Sequence, residues 1–219
     1  MSEPNPHLRA PVAVFGAPAR EATMAAILVH GRGQSPALMK QMVVERCGRP
    51  DIAWFAPAAA DSSWYPERFI EPLERNEPRL SQALERLEVL SRELLALGFP
   101  YASQVLIGFS QGACLCTEFV WRQDRRYGAL LAFTGGLIGP PGMPRPVMPQ
   151  HLRDMPVLLS TCEADPHVPL DSVQDSARWF RAAGADVRLV VEPGCDHAIR
   201  DTELTFAQAA LTLCAPQAD

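Results

Sequence analysis

Seven short apolar runs divide this chain: VAVFG at 12–16, AAILV at 25–29, IAWFA at 52–56, QVLIGF at 104–109, ALLAFT at 129–134, PVLLS at 156–160 and VRLVV at 187–191. Runs this short and this free of charge suit strands covered on both faces, and helical patterns occupy the intervals between them. The pattern predicts an α/β fold with a mostly parallel central sheet flanked by helices on both faces. A chain of 219 residues, 47% of them hydrophobic, can bury such a core in a single domain covering 1–219.

The clearest helix follows Pro78, where Leu80, Leu84, Leu87, Leu90, Leu94 and Leu97 recur at spacings of three and four before Gly98 ends it. Glu85, Arg86, Glu88, Arg92 and Glu93 lie between the leucines and predict a solvated outer face. Further helices are expected at 111–124, at 170–184 between Pro169 and Gly184, and at 201–214, with Asp201 as a cap. The segment 135–151 carries five prolines and four glycines, which predicts a loop running over the surface, too short to hold a multi-helix cap.

Charge and cysteine usage narrow the function. The formal charge of -5 and the absence of a basic block argue against nucleic acid as a partner. No apolar run approaches the roughly 20 residues of a membrane span, and MSEPNPHLRAP lacks the apolar core of an export signal, so the expected location is cytoplasmic. Cys47, Cys114, Cys116, Cys162, Cys195 and Cys214 show no CxxC pairing and are expected as reduced, structural core residues, with no metal site.

The chemistry centres on G108-F109-S110-Q111-G112, where an apolar strand must turn sharply into a helix. Such a turn needs hydrogen two residues before and two after the serine, because any side chain there would collide with the neighbouring element. A plain helix N-cap would use Ser110 but would not require both glycines. Ser110 is therefore the expected nucleophile, and its hydroxyl needs a base.

Five histidines are available. On sheets of this kind the order is serine, acid, histidine, which sets aside His7, His30 and His151; His167 follows the acid too closely. His197, in EPGCDHAI after the run 187–191, remains as the base. The acid is expected in the loop of STCEADPHVP, with Asp165 the choice and Glu163 the alternative. Asp196 adjoins His197 and belongs to the turn at Gly194-Cys195-Asp196. Two backbone N–H groups should hold the developing oxyanion, one from Gln111 and one from Arg32 in LVHGRGQS. His30 in that loop is expected to be structural.

LVHGRG at 28–33, FAPAA at 55–59 with Trp64 beyond it, GFSQGA at 108–113, EADPHVP at 163–169 and GCDHAI at 194–199 together resemble the phospholipase/carboxylesterase family of α/β-hydrolases, which includes the acyl-protein thioesterases. The resemblance runs over most of the chain. It implies hydrolysis of carboxylic esters or thioesters without metal or other cofactor, and a possible homodimer. Position by position it places the family's serine, acid and histidine on Ser110, Asp165 and His197, and its oxyanion donors on Arg32 and Gln111. Gln34 stands where many members carry an aspartate.

For the substrate pocket, DSSWYPERF offers Trp64, Tyr65 and Phe69, which suit either an acyl-binding wall or a loop core; Leu137 and Val168 are further candidates. The sequence thus predicts a serine carboxylesterase for short to medium acyl chains. Acyl-thioesterase or lysophospholipase activity on the same machinery is the alternative. A cysteine-dependent dienelactone-type hydrolase is disfavoured, because Cys114 sits one turn into the helix. From another class, the fold could be a non-catalytic binding scaffold.

Overall fold

The computed structural model describes residues 4–145 and 148–214, so the first three residues of the amino-terminal reading and residues 146–147 of the proline-rich segment lie outside the described residues. Each apolar run becomes a strand: β1 (Val12–Gly16), β2 (Met24–Val29), β3 (Ile52–Pro57), β4 (Gln104–Phe109), β5 (Ala129–Phe133), β6 (Pro156–Cys162) and β7 (Asp186–Glu192). They form one sheet in the order β1-β3-β2-β4-β5-β6-β7, with β1 antiparallel to β3 and every other pair parallel. A mostly parallel sheet with helices on both faces is the architecture that the pattern of apolar runs predicts.

Successive side chains of a strand point to opposite faces, and here both faces are dry. Ala25, Ile27 and Val29 of β2 pack under α3 (Arg79–Ala96), α4 (Gln111–Arg122) and α5 (Leu170–Ala182). Met24, Ala26 and Leu28 face the opposite layer, made by α1 (Pro36–Met39), a π turn at Lys40–Val44, α2 (Glu45–Cys47) and α6 (Asp201–Leu213). Two covered faces explain why the central strands are apolar without alternation.

The leucine stripe of α3 buries Leu80, Leu87, Leu90 and Leu94. Truncating one of them to alanine costs about 2–5 kcal/mol, because the removed methyl groups leave a cavity. Leu97 falls outside the helix and is 57% exposed. Arg86, expected on the solvated face, is instead buried, and its guanidinium pKa is lowered by burial. Ser91 is buried as well, because β4 brings Gln104 to it: the Ser91 hydroxyl donates to Gln104 Oε1 at 2.6 Å.

Other helix ends also depart from expectation. Helix α6 is capped at Arg200 rather than Asp201: the Arg200 N–H donates to Glu203 Oε2 at 2.6 Å, while Asp201 pairs with Arg46. The start of the proline-rich segment does not run over the surface, since Gly135 through Ile138 are buried. Side chains satisfy its backbone there: the Leu137 N–H donates to Ser176 Oγ (2.9 Å) and the Ile138 N–H to Glu118 Oε2 (3.0 Å). The cysteines are all unpaired, but Cys195 is exposed on the loop after β7 rather than in the core. Among the described residues no helix is long and apolar enough to cross a membrane.

Candidate active site

The carboxyl ends of β2, β4, β6 and β7 lie along one edge of the sheet, the edge where open parallel sheets gather ligand-binding loops. The sharpest turn follows β4. Ser110 adopts φ 54°, ψ -121°, a conformation that costs a non-glycine residue about 1–3 kcal/mol. It is held there by its N–H donating to Phe133 O on β5 at 2.9 Å. Its side chain makes no capping bond to α4, so the hydroxyl is not spent on the helix.

The flanking glycines permit this turn by their lack of a side chain. A Cβ on Gly108 would lie 2.4 Å from Gly112 O, and one on Gly112 would lie 2.2 Å from Val29 O. Helix α4 therefore approaches β2 and β4 at backbone contact, and the serine projects from the sheet edge.

His197 reaches this hydroxyl from the loop after β7. Its Nε2 lies 2.8 Å from Ser110 Oγ, and its Nδ1 lies 2.8 Å from Asp165 Oδ2. A carboxylate facing Nδ1 fixes the tautomer with hydrogen on Nδ1, which leaves Nε2 as an acceptor for the serine proton. The ring rests against Phe109 and His167, each with its centroid 5.0 Å away.

The Asp165 side chain is fully shielded from solvent. Burial pushes its pKa up, but the bonds from His197 and from the backbone N–H groups of His167 (2.8 Å) and Val168 (2.9 Å) outweigh it, and the net shift is downward. The carboxylate stays ionised beside the imidazole. Glu163 is exposed, its N–H bonds to Glu192 O, and its carboxylate makes no hydrogen bond to His197. Asp196 is exposed too, with its carbonyl accepting from Arg200 at 2.6 Å.

The loop after β2 brings Arg32 beside the serine, and the N–H groups of Arg32 and Gln111 have no hydrogen-bond partner among the described residues. Gln34 stabilises this loop by accepting from the Gly31 N–H at 3.0 Å. The Arg32 guanidinium fixes the facing loop through Pro66 O and Glu67 O. His30 is buried: Nδ1 faces Gly31 O at 2.7 Å and Nε2 accepts from the Ala59 N–H at 3.0 Å. Burial lowers its pKa, so it stays neutral and tied inside the loop.

A second layer was not anticipated from sequence. The Gln111 side chain accepts from the Trp64 N–H (3.0 Å) and donates to Tyr65 O (2.7 Å), fastening the loop over the elbow. His7, buried near the amino terminus, donates from Nε2 to Trp64 O (3.1 Å) and accepts at Nδ1 from the Ala60 N–H (3.1 Å). Its pKa is lowered to about 4, chiefly by burial. Asn76 accepts from the Glu67 N–H at 2.8 Å. Only the polarity of Gln111 at an otherwise apolar helix start hinted at any of this; His7 and Asn76 carried no local signal.

The resulting cleft has a volume of about 620 Å³ and contains Ser110, His197, Tyr65, Phe69 and Val168. Two of the expected pocket residues fall elsewhere. Trp64 is fully buried behind the cleft, its indole N–H donating to His30 O at 2.8 Å. Leu137 lines a separate cavity of about 400 Å³ between α5 and residues 139–145. Its backbone is drawn there by Ser176. Phe109, Arg68 and His167 line the cleft but were not expected to. Among the described residues no group of three or more His, Cys, Asp or Glu side chains is placed to hold a metal ion.

A family model described as phospholipase/carboxylesterase matches residues 11–215. Among solved structures, a phospholipase/carboxylesterase from Dyadobacter fermentans DSM 18053 is similar at 34% identity and TM-score 0.82, over 93% of this chain and 96% of that one. Esterase PE8 is similar in fold at 24% identity and TM-score 0.73, over 93% of this chain and 97% of that one. Arabidopsis thaliana SOBER1 shares the fold at 18% identity and TM-score 0.73, over 87% of this chain and 98% of that one. No curated protein matches the sequence.

Proposed function

The chain belongs to the phospholipase/carboxylesterase family, and on that premise we propose that it is a serine carboxylesterase working through an acyl-enzyme. The observation that carries this reading is the unbroken hydrogen-bond chain from Asp165 through His197 to Ser110.

Ser110 Oγ attacks the ester carbonyl as His197 Nε2 takes its proton. Asp165 stabilises the imidazolium that forms, and does so as a carboxylate already ionised before the reaction. Negative charge moves onto the carbonyl oxygen, where the N–H groups of Arg32 and Gln111 receive it. One preorganised donor of this kind is worth about 2.7–4 kcal/mol in the barrier. Collapse of the tetrahedral intermediate breaks the bond to the alcohol, which leaves with the proton from His197. Water then repeats the sequence on the acyl-serine, and the carboxylic acid is released.

Tyr65, Phe69 and Val168 supply the apolar wall for the acyl group. The cleft opens directly to solvent beside Arg32 and Arg68, which favours short to medium chains. Thioesters and lysophospholipids fit the same machinery, since only the leaving group differs. An acyl-chain panel of oxygen esters, thioesters and lysophospholipids tests the reading. Acetyl to hexanoyl p-nitrophenyl esters are expected to turn over faster than palmitoyl; the reverse order overturns the chain-length assignment. Absence of turnover across the whole panel favours the binding-scaffold alternative.

A further inference from the structure

The cleft holds two arginines whose charge no carboxylate answers. Many guanidinium groups outside the cleft find anions, as Arg49 does with Asp51, Arg145 with the buried Glu118 and Arg46 with Asp201, while Arg9, Arg86, Arg126, Arg153, Arg181 and Arg188 do not among the described residues. What sets Arg32 and Arg68 apart is that both line the cleft of Ser110 and His197. Arg32 and Arg68 form no ion pair among the described residues, although the chain as a whole carries a formal charge of -5. Arg32 spends both terminal nitrogens on neutral carbonyls, Pro66 O (2.5 Å) and Glu67 O (2.6 Å). Arg68 donates only from Nη2, to His167 O at 3.2 Å, across to the loop that carries Asp165.

The two are not equivalent. Arg32 is locked by a two-pronged contact and acts as a fixed positive charge beside the oxyanion donors. Arg68 keeps Nη1 and Nε without a protein partner among the described residues, so its fork has donors left for a ligand. Of the acids, Glu67 lines the cleft, but its carboxylate pairs with neither arginine; Asp165 has both oxygens committed to His197, His167 and Val168. Among the residues that line the cleft, two arginines stand against the one carboxylate of Glu67, and a planar fork with open donors is the group that best recognises a carboxylate.

We propose that the cleft selects small esters carrying a carboxylate in addition to the scissile ester, with Arg68 as the specificity-determining residue that binds this second group and Arg32 adding to the attractive field. This rests on the esterase reading above and names its substrate class. Two substrate types present such a carboxylate: on the acyl arm, as in a half-ester of a dicarboxylic acid, or on the alcohol arm, as in an acylated hydroxy acid.

The test compares kcat/KM for matched pairs. Mono-p-nitrophenyl glutarate against p-nitrophenyl butyrate probes the acyl arm, and butyryloxyacetate against ethyl butyrate probes the alcohol arm. In at least one pair the anionic ester is expected to be preferred about tenfold at low salt, the scale of a partly screened charge-assisted hydrogen bond. The preference should shrink as salt is raised. Arg68→Gln should bring that ratio to about one, and Arg68→Lys, which keeps the charge but not the fork, should restore part of it. Preference for the neutral ester in both pairs, or an anionic preference untouched by Arg68→Gln, overturns the proposal.

A second measurement separates this inference from the esterase reading. Monomethyl glutarate and butyryloxyacetate are titrated calorimetrically into Ser110→Ala protein and into the Ser110→Ala, Arg68→Gln double variant. Salt-sensitive binding of either, weakened in the double variant, supports the charge assignment even if no ester is hydrolysed. No binding of either, alongside good turnover of neutral esters, overturns the charge assignment and leaves the esterase reading standing.

Discussion

His197 Nδ1 lies 2.8 Å from Asp165 Oδ2, and that contact makes the opposite nitrogen an acceptor 2.8 Å from Ser110 Oγ. Asp165→Asn keeps the shape but can present an amide N–H to the ring and stabilise the wrong tautomer. It should lower kcat by about 10³–10⁴-fold with little change in melting temperature. Glu163→Gln, at an exposed site away from the imidazole, should leave kcat within about twofold of the parent. Steady-state kinetics on the two variants decides between the acids; the opposite ranking would move the role to Glu163.

The closeness of α4 to β2 predicts an asymmetric pair of glycine substitutions. Gly112→Ala puts a Cβ 2.2 Å from Val29 O and 2.5 Å from His30 O, where only backbone can move. It should destabilise by about 3 kcal/mol or more, or prevent accumulation of folded protein. Gly48→Ala, at φ 60° with nothing within 4 Å, should cost only about 1 kcal/mol for the left-handed backbone. Equal losses in denaturant unfolding would contradict the contact.

Gln111 ties the Ser63–Tyr65 loop to the elbow through its side chain, while its backbone N–H has no hydrogen-bond partner among the described residues. Gln111→Ala strands the buried Trp64 N–H and leaves the Tyr65 carbonyl with only the Ser63 hydroxyl as donor, and should destabilise by about 1–3 kcal/mol. Because the backbone N–H remains, the loss in kcat should be far smaller than for Ser110→Ala. A kcat loss as large as that of Ser110→Ala, with unchanged stability, would show that the amide acts in the chemistry itself.

His7 and His30 are buried in neutral form, each accepting a backbone N–H that a protonated ring cannot accept. Their pKa values lie below the ordinary 6.5, with His7 near about 4. The unfolded chain therefore binds more protons between these values. Stability is fully present above about pH 6.5 and falls as pH drops toward about 4, by about 3 kcal/mol for His7 alone. Urea unfolding between pH 7.5 and 4 reads this directly; a flat profile would mean that neither ring is held neutral by the fold.

Much of this architecture was legible because the central strands β2 to β6 are covered on both faces, so each had to be an uninterrupted apolar run, while the partly exposed edge strands β1 and β7 still carry apolar residues enough to stand out. The ends of β4, β6 and β7 then placed Ser110, Asp165 and His197 on one edge. What stayed hidden depends on partners distant in sequence. Nothing near His7 announces Ala60 and Trp64, 53 and 57 residues away. Leu137 reads in the sequence as a cleft residue, but Ser176 and Glu118 hold its segment beside the second cavity, and neither partner is near it in sequence. Arg68 sits between the expected Tyr65 and Phe69, but its unpaired charge is a property of the assembled cleft.

The central claim is that Ser110 is a nucleophile activated by His197, and covalent labelling tests it most directly. A fluorophosphonate probe should add to the folded protein at one site, with the adduct mapped by peptide mass analysis to the segment containing Ser110. Ser110→Ala should abolish the adduct, and His197→Ala should slow it by about a thousandfold. An unlabelled native protein, or an adduct that persists in Ser110→Ala, would contradict the claim.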